Sequence, residues 1–274
     1  FGTACLDTKT GKTIWKRDDL PCRHYRGPSS SLILFENLLI LTMDGVDVQY
    51  HIALDKKTGE TVWKVNRSVA WNDENVPGPM ARDGDLRKAH STPLIVTAAG
   101  KPLMRSGGAK AAYGDDPRTG KELWKVQYND WSTAPRPIFG DGLAFFVTGL
   151  GMRELWAVKT DGQGDITDTG VAWKFKNHVG VYGSPLLVDG LIYTAAEENY
   201  VTCLEAATGQ VVWTERIGGK YAASPICADG RLYFFSQQGT TTVLKPGRTF
   251  EVLAKNTLAD GFMASPAVSG KAFF

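Results

Sequence analysis

One phrase recurs along the chain, and a recurring phrase limits the possible folds more than any other sequence property. ACLDTKTGKTIW spans Ala4–Trp15, IALDKKTGETVW spans Ile52–Trp63, and AYGDDPRTGKELW spans Ala112–Trp124. LEAATGQVVW spans Leu204–Trp213. A variant, VKTDGQGDITDTGVAW, spans Val158–Trp173, and a degraded copy, TTVLKPGRTFEV, spans Thr241–Val252. A second phrase alternates with the first: GPSSSLILFENLLIL from Gly27, STPLIVTAAGKPLM from Ser91, APRPIFGDGLAFF from Ala134, GSPLLVDGLIYTA from Gly183, ASPICADGRLYFF from Ala223 and ASPAVSGKAFF from Ala264.

The unit therefore reads strand, Asp-Gly turn, strand, loop, strand, Thr-Gly turn, strand ending near Trp. Asp-Gly and Thr-Gly between short β-branched and aromatic runs mark tight hairpins, because glycine reaches positive φ without steric cost. No stretch shows the 3.6-residue periodicity of a helix. A four-stranded unit repeating every 40 to 50 residues or so is a propeller blade, and blades stacked radially bury the faces that a lone blade leaves wet. The repeated Trp occupies a fixed place where its ring can wedge between neighbouring blades. The expected fold is all-β: a β-propeller of four-stranded antiparallel blades, with about six blade equivalents in one domain over residues 1–274. Five units fall near 28–67, 92–128, 134–176, 184–217 and 224–254. The first 20 residues hold only the last two strands of a unit, and residues 263–274 only the first two. The halves either pair to close a six-bladed ring or are cut ends of an eight-bladed one; the abrupt ends favour the second, with N-terminal strands and a short C-terminal tail missing.

Composition narrows the function classes. Of 274 residues, 43% are hydrophobic and 22% charged, and the formal charge is +2, so nothing points to nucleic acid or an anionic membrane. No apolar run approaches the roughly 20 residues of a membrane helix. Cys5, Cys22, Cys203 and Cys227 form no CxxC pair. Buried free thiols in strands are expected, with Cys5–Cys22 and Cys203–Cys227 as alternative bridges.

The phrase xxLDxxTGxxxW preceded by SPxxxDGxxY resembles the repeat of the PQQ-like (pyrroloquinoline-quinone-like) β-propeller superfamily. Trp15, Trp63, Trp124 and Trp213 with Gly11, Gly59, Gly120 and Gly209 carry the match. DLRKAHSTPLI, DGQGDITDTGVAWK, TTVLKPGRTFEVLAKN and MASPAVSGKAFF are similar to a bacterial group of PQQ-binding-like repeat proteins, which are commonly exported. The resemblance implies a periplasmic or extracellular protein. It allows a quinoprotein dehydrogenase using PQQ and a metal, or a cofactor-free propeller of outer-membrane assembly. In the dehydrogenases PQQ stacks on a Trp and on a disulfide of adjacent cysteines; no adjacent pair exists here. No GxSxG, HExxH or GxxxxGK[ST] occurs either.

A non-catalytic scaffold is therefore expected, recognising a protein, peptide or glycan through loops at a channel mouth. The alternative is a PQQ-type oxidoreductase or a carbohydrate-active enzyme. The candidate binding residues are Arg23, His24 and Arg26 on the first connector, and Trp71, Arg87 and His90 on the long second connector from Val69 to Ser91. Trp131 and Arg136, His178 and Tyr182, Tyr221, and Phe262 stand on the shorter ones. His24, His90 and His178 are also candidate zinc ligands. Asp161, Asp165 and Asp168 are spaced as a calcium loop would space them, although an Asp-stabilised turn explains that spacing equally well. No resident cofactor is expected, with PQQ and calcium as the alternatives.

Overall fold

The computed structural model describes residues 2–24, 27, 29–98 and 100–274. It is all-β apart from one short connector. Among the described residues the strands form five sheets of four or five strands and two two-stranded sheets. Contacts divide the chain into two compact units, Phe1–Thr133 with Asp161–Thr167, and Ala134–Thr160 with Asp168–Phe274.

In the first unit, β1 (Thr3–Leu6) and β2 (Thr13–Arg17) form a two-stranded sheet. An antiparallel meander follows, β3 (Ile33–Phe35), β4 (Leu38–Asp44), β5 (Gln49–Asp55) and β6 (Thr61–Asn66). The connector Val69–Ser91 holds a single helical turn, α1 (Pro79–Arg82), and a 3-10 turn, Asp85–Arg87. The next meander is β7 (Leu94–Ala98), β8 (Lys101–Gly107), β9 (Ala111–Asp115) and β10 (Glu122–Gln127).

The second unit begins with β11 (Ile138–Gly140), β12 (Leu143–Val147) and β13 (Leu155–Lys159). Between β13 and the last strand of that sheet lies β14 (Gly164–Asp165), which belongs to the first unit. It pairs parallel to β10, Lys125 opposite Asp165, as a fifth strand on that sheet's outer edge. β15 (Val171–Phe175) completes the β11–β13 sheet. Two further meanders follow, β16 (Leu186–Val188) to β17 (Leu191–Ala195), β18 (Tyr200–Glu205) and β19 (Val211–Arg216), then β20 (Ile226–Ala228), β21 (Arg231–Phe235), β22 (Thr240–Leu244) and β23 (Val252–Thr257). β24 (Val268–Ser269) and β25 (Ala272–Phe273) close the chain.

The turn chemistry is local. Asp141-Gly142, Asp189-Gly190 and Asp229-Gly230 have positive φ at both residues, as a two-residue hairpin turn of the I′ type requires. In the LDxxTG phrase the Asp side chain takes the next backbone donors: Asp55 Oδ1 accepts from Lys57 and Thr58, and these bonds hold its pKa below the usual carboxylate range.

The repeated Trp does bridge sheets. The Trp15 ring lies on Gly59 of the following Thr-Gly turn, and its Nε1 donates to Lys56 O at 3.1 Å. Trp173 lies on Gly209 and donates to Ala206 O at 3.0 Å. A Cβ on Gly209 would stand 2.6 Å from that ring, where φ is also +72°. Glycine is thus required twice over there, by the turn and by the neighbouring indole.

The SP phrase carries a second link that sequence reasoning missed. Arg136 N donates to Ser184 Oγ, Ser184 N to Ser224 Oγ, and Ser224 N to Ser265 Oγ, at 2.9, 2.9 and 2.8 Å. Each repeat's serine thus accepts a bond from the preceding repeat's backbone. The cysteines are free; Cys203 is buried, whereas Cys227 is exposed, because it alternates outward on the short β20.

Candidate functional site

In an antiparallel meander the loop after the second strand and the connector after the fourth lie at one end, and the Asp-Gly and Thr-Gly turns at the other. The candidate residues therefore gather at the connector ends of their sheets.

In the first unit, the first connector is stitched to the β4–β5 turn: Arg23 N donates to Asp47 Oδ1 at 2.8 Å, and Val46 N to Arg23 O at 2.9 Å. His24 and His90 come together with ring centroids 5.0 Å apart, and Ser29 Oγ meets His90 Nδ1 at 2.7 Å. Burial lowers the pKa of His24, against the opposing pull of Asp44. Arg26 lies outside the described residues.

The long connector folds down onto the same turn. Ala89 N donates to Asp44 O, and Gly84 lies so close to Val46 O that a Cβ would stand 2.3 Å away. Arg87 grips Asp73 through two bonds of 2.8 and 2.6 Å, and its guanidinium lies 5.8 Å from the Trp71 ring centroid. Arg87 lowers the pKa of Asp73. The Lys110 ammonium donates to Trp71 O. Trp131 follows the buried Asp130, whose carboxylate accepts its backbone N–H.

Beneath these connectors runs a buried polar network. Arg67 holds Asp44 at 3.1 and 2.7 Å, donates to Ser106 Oγ at 2.7 Å, and lies 4.4 Å from the Tyr113 ring centroid. His51 Nε2 meets Ser106 Oγ at 3.2 Å, and Ser106 reaches Asp115 at 3.4 Å. Burial, reinforced by Arg67, puts the His51 pKa well below its ordinary value, and burial raises the Asp115 carboxyl to about 7 against the pull of Arg67. Ser and His stand together as in a nucleophile–base pair, but Ser106 is 1% and His51 4% exposed, so no substrate reaches them.

In the second unit, His178 stacks on Tyr200 with centroids 4.0 Å apart, and Arg216 lies 4.9 Å from the same ring. Tyr182 is exposed and Arg136 is solvent-facing. Tyr221, expected at a binding face, is instead a core residue: it is 2% exposed, and its hydroxyl donates to Gly218 O. A groove of about 550 Å³ near β24 and β25 is lined mainly by apolar groups, among them Phe235, Phe262 and Phe273; of the predicted residues it includes only Phe262.

Asp165 is consumed locally: Thr167 N and Oγ1 and Gln127 Nε2 all donate to it, and these bonds, that of the Thr167 hydroxyl foremost, lower its pKa. Among the described residues no group of three or more His, Cys, Asp or Glu is placed to hold a metal ion. The residues present do not fit a PQQ–calcium centre either. The cysteines are dispersed, and Trp15, Trp63, Trp173 and Trp213 spend their rings or indole N–H groups on neighbouring turns.

Sheets of this order, joined through Trp and Ser and bearing ordered connectors at one strand end, define a β-propeller of the PQQ-like repeat class. The chain belongs to the family of outer membrane protein assembly factor BamB, whose profile matches residues 48–165 and 165–248. It is similar to the crystal structure of BamB from Moraxella catarrhalis, with a TM-score of 0.67 at 14% identity over 98% of this chain and 71% of that one. It is also similar to the computationally designed Ika8 protein, with a TM-score of 0.66 at 12% identity over 97% of this chain and 71% of that one. No curated protein sequence matches. No helix among the described residues is long and apolar enough to cross a membrane.

Proposed function

We infer that the chain is an exported, non-catalytic scaffold, a single propeller domain that binds a polypeptide of outer-membrane protein assembly through its connector ends. The observation that carries this reading is the composition and rigidity of those ends in a member of an assembly-factor family. Arg87–Trp71 and His178–Tyr200–Arg216 each present an aromatic ring beside a cation, and His24–His90 presents two adjoining imidazoles. Tyr, Trp and Arg carry much of the energy of protein interfaces. Rings held in place by neighbouring groups lose little freedom on binding. The Ser106–His51 pair, which is backed by Asp115, is sealed in the interior, which favours binding over chemistry there.

A photo-crosslinking residue placed at Arg23, His178 or Tyr182 is expected to capture the periplasmic part of the barrel-assembly machinery in cells. The same residue at Glu36, Asp189 or Asp229, on turns at the other strand end, is expected not to. Adducts confined to the turns, or none from the connectors, would overturn the reading.

A further inference from the structure

The long connector meets the end of β10 beside the Trp71–Arg87 pair. A cleft of about 400 Å³ is lined by Trp71, Asn72, Lys110, Gln127 and Asn129, with Val69, Ala70 and Tyr128 as walls. That volume falls at the small end of the roughly 300–1,000 Å³ typical of small-ligand sites. We propose that this cleft binds the end of a neutral oligosaccharide, one sugar ring lying against Trp71 and its hydroxyls bonded by the surrounding amides.

The aromatic shelf is prepared in advance. The backbone of Trp71 is clamped by Lys110 at its carbonyl, and its ring is faced by Arg87, itself gripped by the buried Asp73. Val69, Ala111 and Tyr113 form the apolar cluster on which Trp71 packs. Around the shelf stand side chains that each offer a donor and an acceptor. Asn72 and Asn129 are exposed, and their amides engage no other described group. Gln127 commits its Nε2 to Asp165 and keeps its oxygen. An indole bordered by amides matches a sugar, which has an apolar C–H face and a rim of hydroxyls that both donate and accept.

Two observations favour a neutral sugar in this cleft over strand addition by a peptide or an acidic sugar. An extended peptide would need a free strand edge, but beside the cleft that edge is closed: Ile166 N donates to Lys125 O and Gln127 N to Thr167 Oγ1. An acidic sugar would need a free cation, but the one cation lining the cleft, Lys110, donates to Trp71 O and faces Asp73.

The test titrates the intact chain with maltotriose, cellotriose and the N-acetylglucosamine trimer, with galacturonic acid trimer and a polyalanine-based peptide as comparisons. Tryptophan fluorescence and saturation-transfer NMR report binding. At least one neutral trimer is expected to bind with a Kd of order 1 mM or tighter. Trp71→Ala should abolish the response. Asn129→Ala, a surface change that leaves the fold intact, should weaken it about tenfold, one lost bond to a bound group. Arg231→Ala, on a turn of the second unit that does not line the cleft, should leave it unchanged. No response to any neutral trimer, binding that survives both Trp71→Ala and Asn129→Ala, or preference for the acidic trimer or the peptide would each overturn the proposal.

Discussion

The sheets β3–β10 and the sheets β16–β23 are built from the same repeated phrases, yet their interiors are filled by opposite means. The first pair buries charge: Asp44, Arg105 and Asp115 are all 4% exposed or less, and Arg67 is nearly as deep. The second pair buries rings and hydroxyls. Tyr193, Trp213, Tyr221 and Phe234 form one apolar cluster, and the buried polar groups beside it are Thr194, Thr202, Ser236 and Thr242. The second unit's one buried carboxylate among the described residues is Glu154, which is met by Lys176 at 2.9 Å. The repeat constrains turns and the Trp wedge and leaves the centre of each sheet free. There Thr194 Oγ1 accepts from Gly180 N, Thr202 Oγ1 meets Thr214 Oγ1 and Ser236 Oγ accepts from Thr240 N. The charges of Asp44, Arg67 and Asp115 are tied through Ser106 into one network whose members stand or fall together.

The sharpest attack on that contrast is Arg67→Ala. It strands the Asp44 carboxylate in the interior, and breaking a buried pair in this way costs about 3–5 kcal/mol. Urea unfolding should show a loss of that order; a loss no larger than that of a hydroxyl deletion would erase the distinction between the two regions.

Asp115 gives a smaller effect with a definite sign. Burial holds its folded pKa near 7, above the roughly 3.9 of an unfolded Asp. The folded state therefore keeps the proton better. Its contribution to stability is full below about pH 4 and is lost as pH rises through 7. Asp115→Asn should flatten that part of the pH–stability curve. It should also stabilise the chain at pH 8 by up to a few kcal/mol, about 1.4 per unit of displacement. Unfolding midpoints at pH 5 and pH 8 check both statements. A variant with the wild-type slope would show that another group of the network titrates instead.

Ser224→Ala is the mildest change. It removes the acceptor of Ser184 N and should cost about 1 kcal/mol, read from the unfolding midpoint. A loss comparable to that of Arg67→Ala would mean that the second region is as tightly coupled as the first.

How much of this was legible depended on whether each feature is made locally. The Asp-Gly and Thr-Gly turns lie within a few residues of themselves, so spacing alone revealed them; the Asp55 cap inside the second kind came to light only in the fold. The Trp–Gly wedge reaches from one repeat to the next but recurs, and repetition exposed it. The segment around Asp165 read as a calcium loop or a hairpin turn; in the fold it runs parallel to β10, a pairing with no local signature. Tyr221 reads as a connector residue, but the chain turns it into the core. The buried network was missed altogether: Asp44, Arg67 and Asp115 are unremarkable surface types until three strands bring them together.

The amino-acid order by itself determined the blades, their boundaries to within a few residues and the Trp that wedges one against the next. All of these follow from steric rules acting over a handful of atoms, copied again and again. Which side chains meet at the connector ends was decided only by the tertiary fold. His24 and His90 are brought together by a sheet standing between them in the chain, as are Trp71 and the Asn129 amide by another. Nothing in either local sequence specifies a neighbour that only packing supplies.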